Sequence, residues 1–221
     1  MMSKDLSRII SASLKKKLEK SHREKKIEES IEQIKKAIEL AEFEKDKLLM
    51  ISDNLYLSAK SLINTGRKLE GLKLLVFSLF GYYISGDLEK MRELISEVNK
   101  LSGELEKELI GWEEYDKAFL IKLVPILLDY IDKGEYQEPN APEYLGKVFP
   151  YLRDMHKVLV LKLFGKIKED FFEKRIERYS NYSEKKGLLD YWNFVWEVFN
   201  YVDKIRKMKE AYLERVMFEK M

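Results

Sequence analysis

From Ile27 onward, apolar residues recur as Ile27, Ile31, Ile34, Ile38 and Ala41, with Lys45 interrupting the seam before Leu48. Alternating spacings of four and three predict the a/d stripe of a helix packed on other helices. The run holds fewer than four clean heptads, so an antiparallel bundle partner is expected rather than a free-standing coiled coil. Gly66, Gly86-Asp87 and Gly103 then fall where glycines close helices, which predicts helices near 47–65, 69–85 and 87–101. A further helical stretch is expected from Glu104 to Lys133, bent or restarted at Pro125, with Gly111 as a second break. Gly134 to Pro142 is the one proline-rich loop and the best internal boundary.

Beyond that loop, Pro150 is expected to open a helix that continues toward Arg178, followed by a polar loop over Tyr179–Gly187. The last helix, from about 188 to 219, carries an inner stripe of Leu188, Trp192, Val195, Phe199 and Val202. Its outer stripe is Asp190, Asn193, Glu197, Asn200 and Lys204, so the segment is a long amphipathic helix. Upstream, residues 4–18 form a shorter amphipathic pattern of Leu6, Ile9, Ile10, Leu14 and Leu18, with Lys17 falling inside the face. Residues 19–26 contain no apolar member. The pattern as a whole predicts an all-α fold, an antiparallel multi-helix bundle of seven or eight helices. It divides into a basic arm (1–26), an N-terminal helical half (27–133) and a C-terminal helical half (143–221), the two halves being either separate or one continuous domain.

The stretch from Leu55 to Tyr83 places Leu55, Ala59 and Leu62 before the turn at Gly66, and Gly71, Leu75 and Ser78 after it. This resembles a single tetratricopeptide-type hairpin, in which small residues let two helices pack closely. It departs from that pattern at Lys68, where a bulky apolar residue is usual, and no proline closes the unit. No copy follows in register at about 34 residues, so the resemblance implies close helix packing and no repeat array.

Composition narrows the chemistry. The chain has no cysteine, which excludes disulfides, thiolate zinc sites, iron–sulfur ligation and cysteine nucleophiles. With only His22 and His156, a multi-histidine metal site is out of reach. Glu19 and His22 have the Glu-x-x-His spacing of di-iron bundles, but no second such pair exists. The charged fraction of 36%, with Gln only at 33 and 137 and Thr only at 65, resembles the composition of hyperthermophile proteins. No apolar run approaches the roughly 20 residues of a membrane span, and the first residues lack a signal-peptide pattern, so a cytoplasmic location without integral membrane association is expected.

Net charge is +2, and the first 26 residues hold nine Lys/Arg against three acids. Lys15, Lys16, Lys17, Lys20, Arg23, Lys25 and Lys26 therefore form a candidate set of phosphate contacts for nucleic acid, or a membrane-surface arm. No aromatic residue in 1–26 is there to stack on a base. His156, next to Asp154, is more readily a packed or rim residue than a general base. No glycine-rich phosphate loop and no Gly-x-Ser-x-Gly elbow occurs, and no catalytic, cofactor-binding or metal residue is assigned. Phe194 and Trp196 lie off the inward stripe of the last helix, so that helix needs a second packing surface. With Tyr201 they form a candidate interface with a protein partner or second copy. The expected function is a non-enzymatic helical interaction or scaffold protein that self-associates. The alternative is a nucleic-acid-binding protein that uses the basic arm.

Overall fold

The structure, a computed structural model, describes residues 24–39, 44–133 and 141–218. It is all-helical, with 8 α-helices and no strand among the described residues. In chain order these are α1 (24–39), α2 (Lys45–Asn64), α3 (Lys68–Ser85), α4 (Leu88–Gly111), α5 (Tyr115–Lys133), α6 (Pro150–Leu163), α7 (Glu169–Lys185) and α8 (Leu189–Phe218). A 3-10 turn over Glu143–Lys147 precedes α6.

Each helix from α2 to α5 packs on its neighbour in sequence, and α8 returns to lie against α5. α3 is the centre of the bundle. Its residues Leu72 to Tyr82 are buried all round apart from Lys73, the pattern of a helix enclosed by others. Of the expected seam on α1, Ile34 and Ile38 are buried and Ile27 and Ile31 are partly buried against the core, while Ala41 lies outside the described residues. Ala37 is buried beside them, and Lys35 and Glu39 reach Glu197 (2.8 Å) and Lys204 (2.7 Å) on α8. One cluster of buried residues runs from Ile34 to Ile205, so the stretches before and after the proline-rich loop contribute to the same core.

Five helices close in the same way. At the end of each a residue adopts a left-handed conformation, and the next N–H reaches back five residues to a carbonyl, as in Arg67→Leu62 (3.0 Å) and Lys166→Leu161 (2.8 Å). Glycine occupies the left-handed position at 66, 86, 165 and 187, where a Cβ would be strained. At the fifth, ending α4, the residue is Glu113, with φ 60.

Four sequence expectations need correction. α4 runs straight through Gly103, which faces open space, and ends at Gly111 instead. α5 is not restarted at Pro125 but carries it within the helix. The helix begun at Pro150 stops at Leu163, because Gly165 takes φ 64 and turns the chain. Tyr179–Gly187 is no loop: α7 continues to Lys185, since Tyr179 and Ser183, four apart, are fully buried on its inner side.

Candidate functional site

The aromatic residues expected to form an interface on α8 are largely occupied within the chain. Phe194 is 1% exposed, beneath the Lys73 ammonium of α3 (5.8 Å from the ring centre). Tyr201 is buried between Phe77 (5.9 Å) and Phe80 (6.0 Å), and that burial pushes its hydroxyl up to about 12. Only Trp196 stays partly exposed, stacked between Trp192 (5.9 Å) and Phe199 (5.3 Å). The second packing surface that this helix requires is therefore α3 of the same chain. Of the candidate phosphate contacts, Lys15, Lys16, Lys17, Lys20 and Arg23 lie outside the described residues, as do Glu19 and His22. Lys25 and Lys26 are exposed at the start of α1, Lys25 lying 3.9 Å from Glu29. His156 is half-buried, edge-on to Phe119 (6.3 Å), in a cleft of about 320 Å³ beside Lys122, Arg153 and Lys157.

Exposed aromatic residues collect elsewhere, around the start of α5. Asp116, in its first turn, accepts hydrogen bonds from the backbone N–H of Phe149 (3.0 Å) and from the hydroxyl of Tyr182 (2.9 Å). One carboxylate thus ties α5 to the starting residue of α6 and to the last turns of α7. The two rings it positions stack face to face, 4.3 Å apart and 9° from parallel. Tyr151 packs on Phe149 at 5.4 Å. On the other side, the Lys147 ammonium donates to the Tyr115 hydroxyl (2.8 Å) and sits 4.4 Å from that ring, which stacks on Tyr144 (6.1 Å). Next to Asp116 in the first turn of α5, Lys117 lies over Tyr191 of α8 (5.6 Å).

Several of these rings face solvent. Trp112, in the turn leading into α5, is 67% exposed, Tyr151 is 40% and Phe149 is 37%. Large aromatics at such exposure leave apolar surface in water, and when they lie together they mark a contact surface. The turn that presents Trp112 is also the one closed by Glu113 in a left-handed conformation. That conformation costs a non-glycine residue about 1–2 kcal/mol, and such strain concentrates at functional sites. Tyr182 is held in its neutral form by partial burial and by its bond to Asp116, which push its hydroxyl up to about 12. Lys147 is held charged by its bond to Tyr115. The surface therefore offers flat aromatic faces with ammonium and carboxylate groups between them, fixed by hydrogen bonds.

Sequence reading did not find this site, since its residues come from four helix ends and share no period. The one local signal was a tryptophan directly after a helix-breaking glycine. Among the described residues, no group of three or more His, Asp or Glu is placed to hold a metal ion, and no helix is long and apolar enough to cross a membrane. No protein-family model, curated protein or solved structure matches the chain.

Proposed function

We propose that the chain is a non-enzymatic helical interaction protein that self-associates through the aromatic surface around Asp116. The observation that carries this reading is the exposure of Phe149 and Tyr151, packed on each other beside Asp116, together with that of Trp112 in the turn four residues before Asp116. Tryptophan and tyrosine are the side chains that most often dominate binding energy at protein interfaces, because they bury much area with few rotatable bonds. The patch also carries both signs of charge, Lys117 and Lys147 beside Glu113 and Glu114. A two-fold interface brings the same patch together with itself, so it needs both signs in one place.

Sedimentation velocity from low to high micromolar concentration tests the proposal, with wild type compared against Trp112→Ala/Tyr151→Ala. Both positions are exposed, so the variant keeps its core. Concentration-dependent dimers in wild type, weakened in the variant and persisting at moderate salt, support the reading. A wild-type chain that stays monomeric, or a variant that associates equally well, overturns it.

A further inference from the structure

The cleft of about 320 Å³ that holds His156 lies between α5 and α6, and its size is at the small end of the range of about 300–1,000 Å³ for ligand sites. Its α5 wall is the face of Phe119, Lys122, Leu123 and Ile126, residues three and four apart on the helix. Pro142 and Leu145, at the 3-10 turn, continue that wall. Phe119 and Leu123 are buried at 3% and 2% exposure and close the floor. Ile126, Pro142 and Leu145 stay partly exposed, so apolar surface remains open along the cleft. The α6 wall is charged: Arg153, Asp154 and Lys157 share one face, with His156 beside them. Neither Arg153 nor Lys157 forms an ion pair with another described residue. Lys122 differs, since its ammonium reaches Glu106 (3.4 Å), a carboxylate that also accepts from the Tyr144 hydroxyl (2.5 Å). With Glu106 set against Lys122, and Asp154 against one cation of α6, a single positive charge stays unmatched beside the apolar wall.

We propose that this cleft binds a small amphiphilic monoanion, a carboxylate carried on a short apolar chain. The charge balance selects the headgroup. A guanidinium pairs with a carboxylate through two parallel hydrogen bonds, which is the chemistry Arg153 offers, and Lys157 adds a point charge next to it. A dianion would bring its second charge against Asp154 with no cation left to meet it. A neutral ligand would cover Arg153 without giving its charge a partner, which costs binding energy. The apolar wall selects the body. A hydrocarbon chain laid along Ile126, Pro142 and Leu145 removes from water the surface these residues leave open, and binding tightens with the apolar area buried. The site is separate from the aromatic surface around Asp116, since Trp112, Phe149 and Tyr151 are not among its lining residues.

The probe is octanoate, titrated into the isotopically labelled full-length chain and followed by backbone amide shifts, with octanamide and hexanoate as comparisons. Saturable shifts confined to residues 119–126, 141–145 and 150–157 are expected. Octanamide should bind about tenfold more weakly, the loss of one charge-assisted hydrogen bond. Each methylene is worth about fourfold, so hexanoate, two methylenes shorter, should bind about fifteenfold more weakly. Arg153→Gln/Lys157→Gln should weaken octanoate by about tenfold, whereas Lys45→Gln/Lys47→Gln, at the exposed start of α2, should leave it unchanged. None of these side chains is buried, so both variants keep their core, and their amide spectra report the fold directly. Equal binding of octanoate and octanamide overturns the anion site, and equal binding of octanoate and hexanoate overturns the apolar wall. Shifts spread over the whole surface, no shift at all, or the same loss in both variants overturn the proposal outright.

Discussion

Gly81 of α3 faces Ser52 of α2 with no room for a side chain between them: a Cβ built on Gly81 overlaps the Ser52 Oγ and comes within 3.3 Å of its Cβ. The serine has no freedom to retreat. Its hydroxyl donates to Leu48 O (2.8 Å), and its own carbonyl accepts from Ser78 Oγ (2.8 Å). Ile34 of α1 closes the third side, with its Cδ1 3.2 Å from the same Cβ position. Three helices thus converge on a hydrogen atom.

Gly81→Ala is therefore expected to destabilise the protein, although alanine is the better helix former. Overpacking a filled site costs about 1–3 kcal/mol, against about 0.5–1 kcal/mol gained in propensity. Ser52→Ala in the same chain removes the overlapping oxygen and should recover part of the loss. Urea unfolding of the two single variants and the double variant measures the coupling. Additive losses would place Gly81 away from Ser52.

Gly103→Ala should act in the opposite direction. Gly103 lies within α4, and nothing stands within 4 Å of an added Cβ. The substitution relieves only the backbone entropy of an interior helix glycine, a gain of about 0.5–1 kcal/mol. A raised urea midpoint at unchanged slope is the expected outcome, and a lowered midpoint would mean that α4 breaks at Gly103.

The contrast between these two glycines shows how much of the fold was legible. Period and spacing identified the α1 seam, the inner stripe of α8 and the turns at Gly66 and Gly86, because each is a local pattern repeated on one face. Gly103 was misread because a glycine costs an exposed helix too little to end it when Leu101 and Leu105 are held in the core. The α7 error has the same origin: Tyr179 and Ser183 sit among polar neighbours, and only α8, with Trp192 packed against Tyr179 (6.0 Å), reveals their inward face. The close packing implied by the tetratricopeptide-type hairpin is present at Gly71, whose Cβ would lie 3.1 Å from the Ala59 carbonyl oxygen. The aromatic surface escaped because Asp116 and Tyr182 are 66 residues apart, and nothing in either neighbourhood points to the other.

Glu113→Gly should stabilise the chain, the only one of the five left-handed helix ends where a glycine is not already present. Removing the clash between Cβ and backbone gains about 1 kcal/mol, partly offset by the greater freedom of glycine when unfolded. If the turn is strained in order to present Trp112, the same variant should also weaken self-association. Calorimetry and sedimentation on the same sample check both outcomes. A stabilised variant with unchanged association would separate the strain from the surface.

The bond between Tyr182 and Asp116 gives a pH-dependent prediction. The Tyr182 hydroxyl rises from 10.0 to about 12, first because burial opposes the phenolate and then because the neutral hydroxyl donates to Asp116. A group whose folded value is raised contributes its full stability below the unfolded value and loses it as pH climbs through the folded one. The contribution is therefore complete below about pH 10 and fades between pH 10 and 12. Tyr182→Phe keeps the ring stacked on Phe149 and leaves Asp116 its bond from the Phe149 N–H, so only the hydroxyl interaction is lost. Wild type should exceed the variant by about 1 kcal/mol near neutrality, the net worth of one such hydrogen bond. Urea unfolding of both chains at stepped pH should show that gap narrowing progressively as pH climbs above 10. Tyr144 and Tyr201 are raised as well, but they titrate in both chains and cancel in the difference. A gap that stays constant across this range would show that Tyr182 does not donate to Asp116 and that α7 is held to α5 by stacking alone.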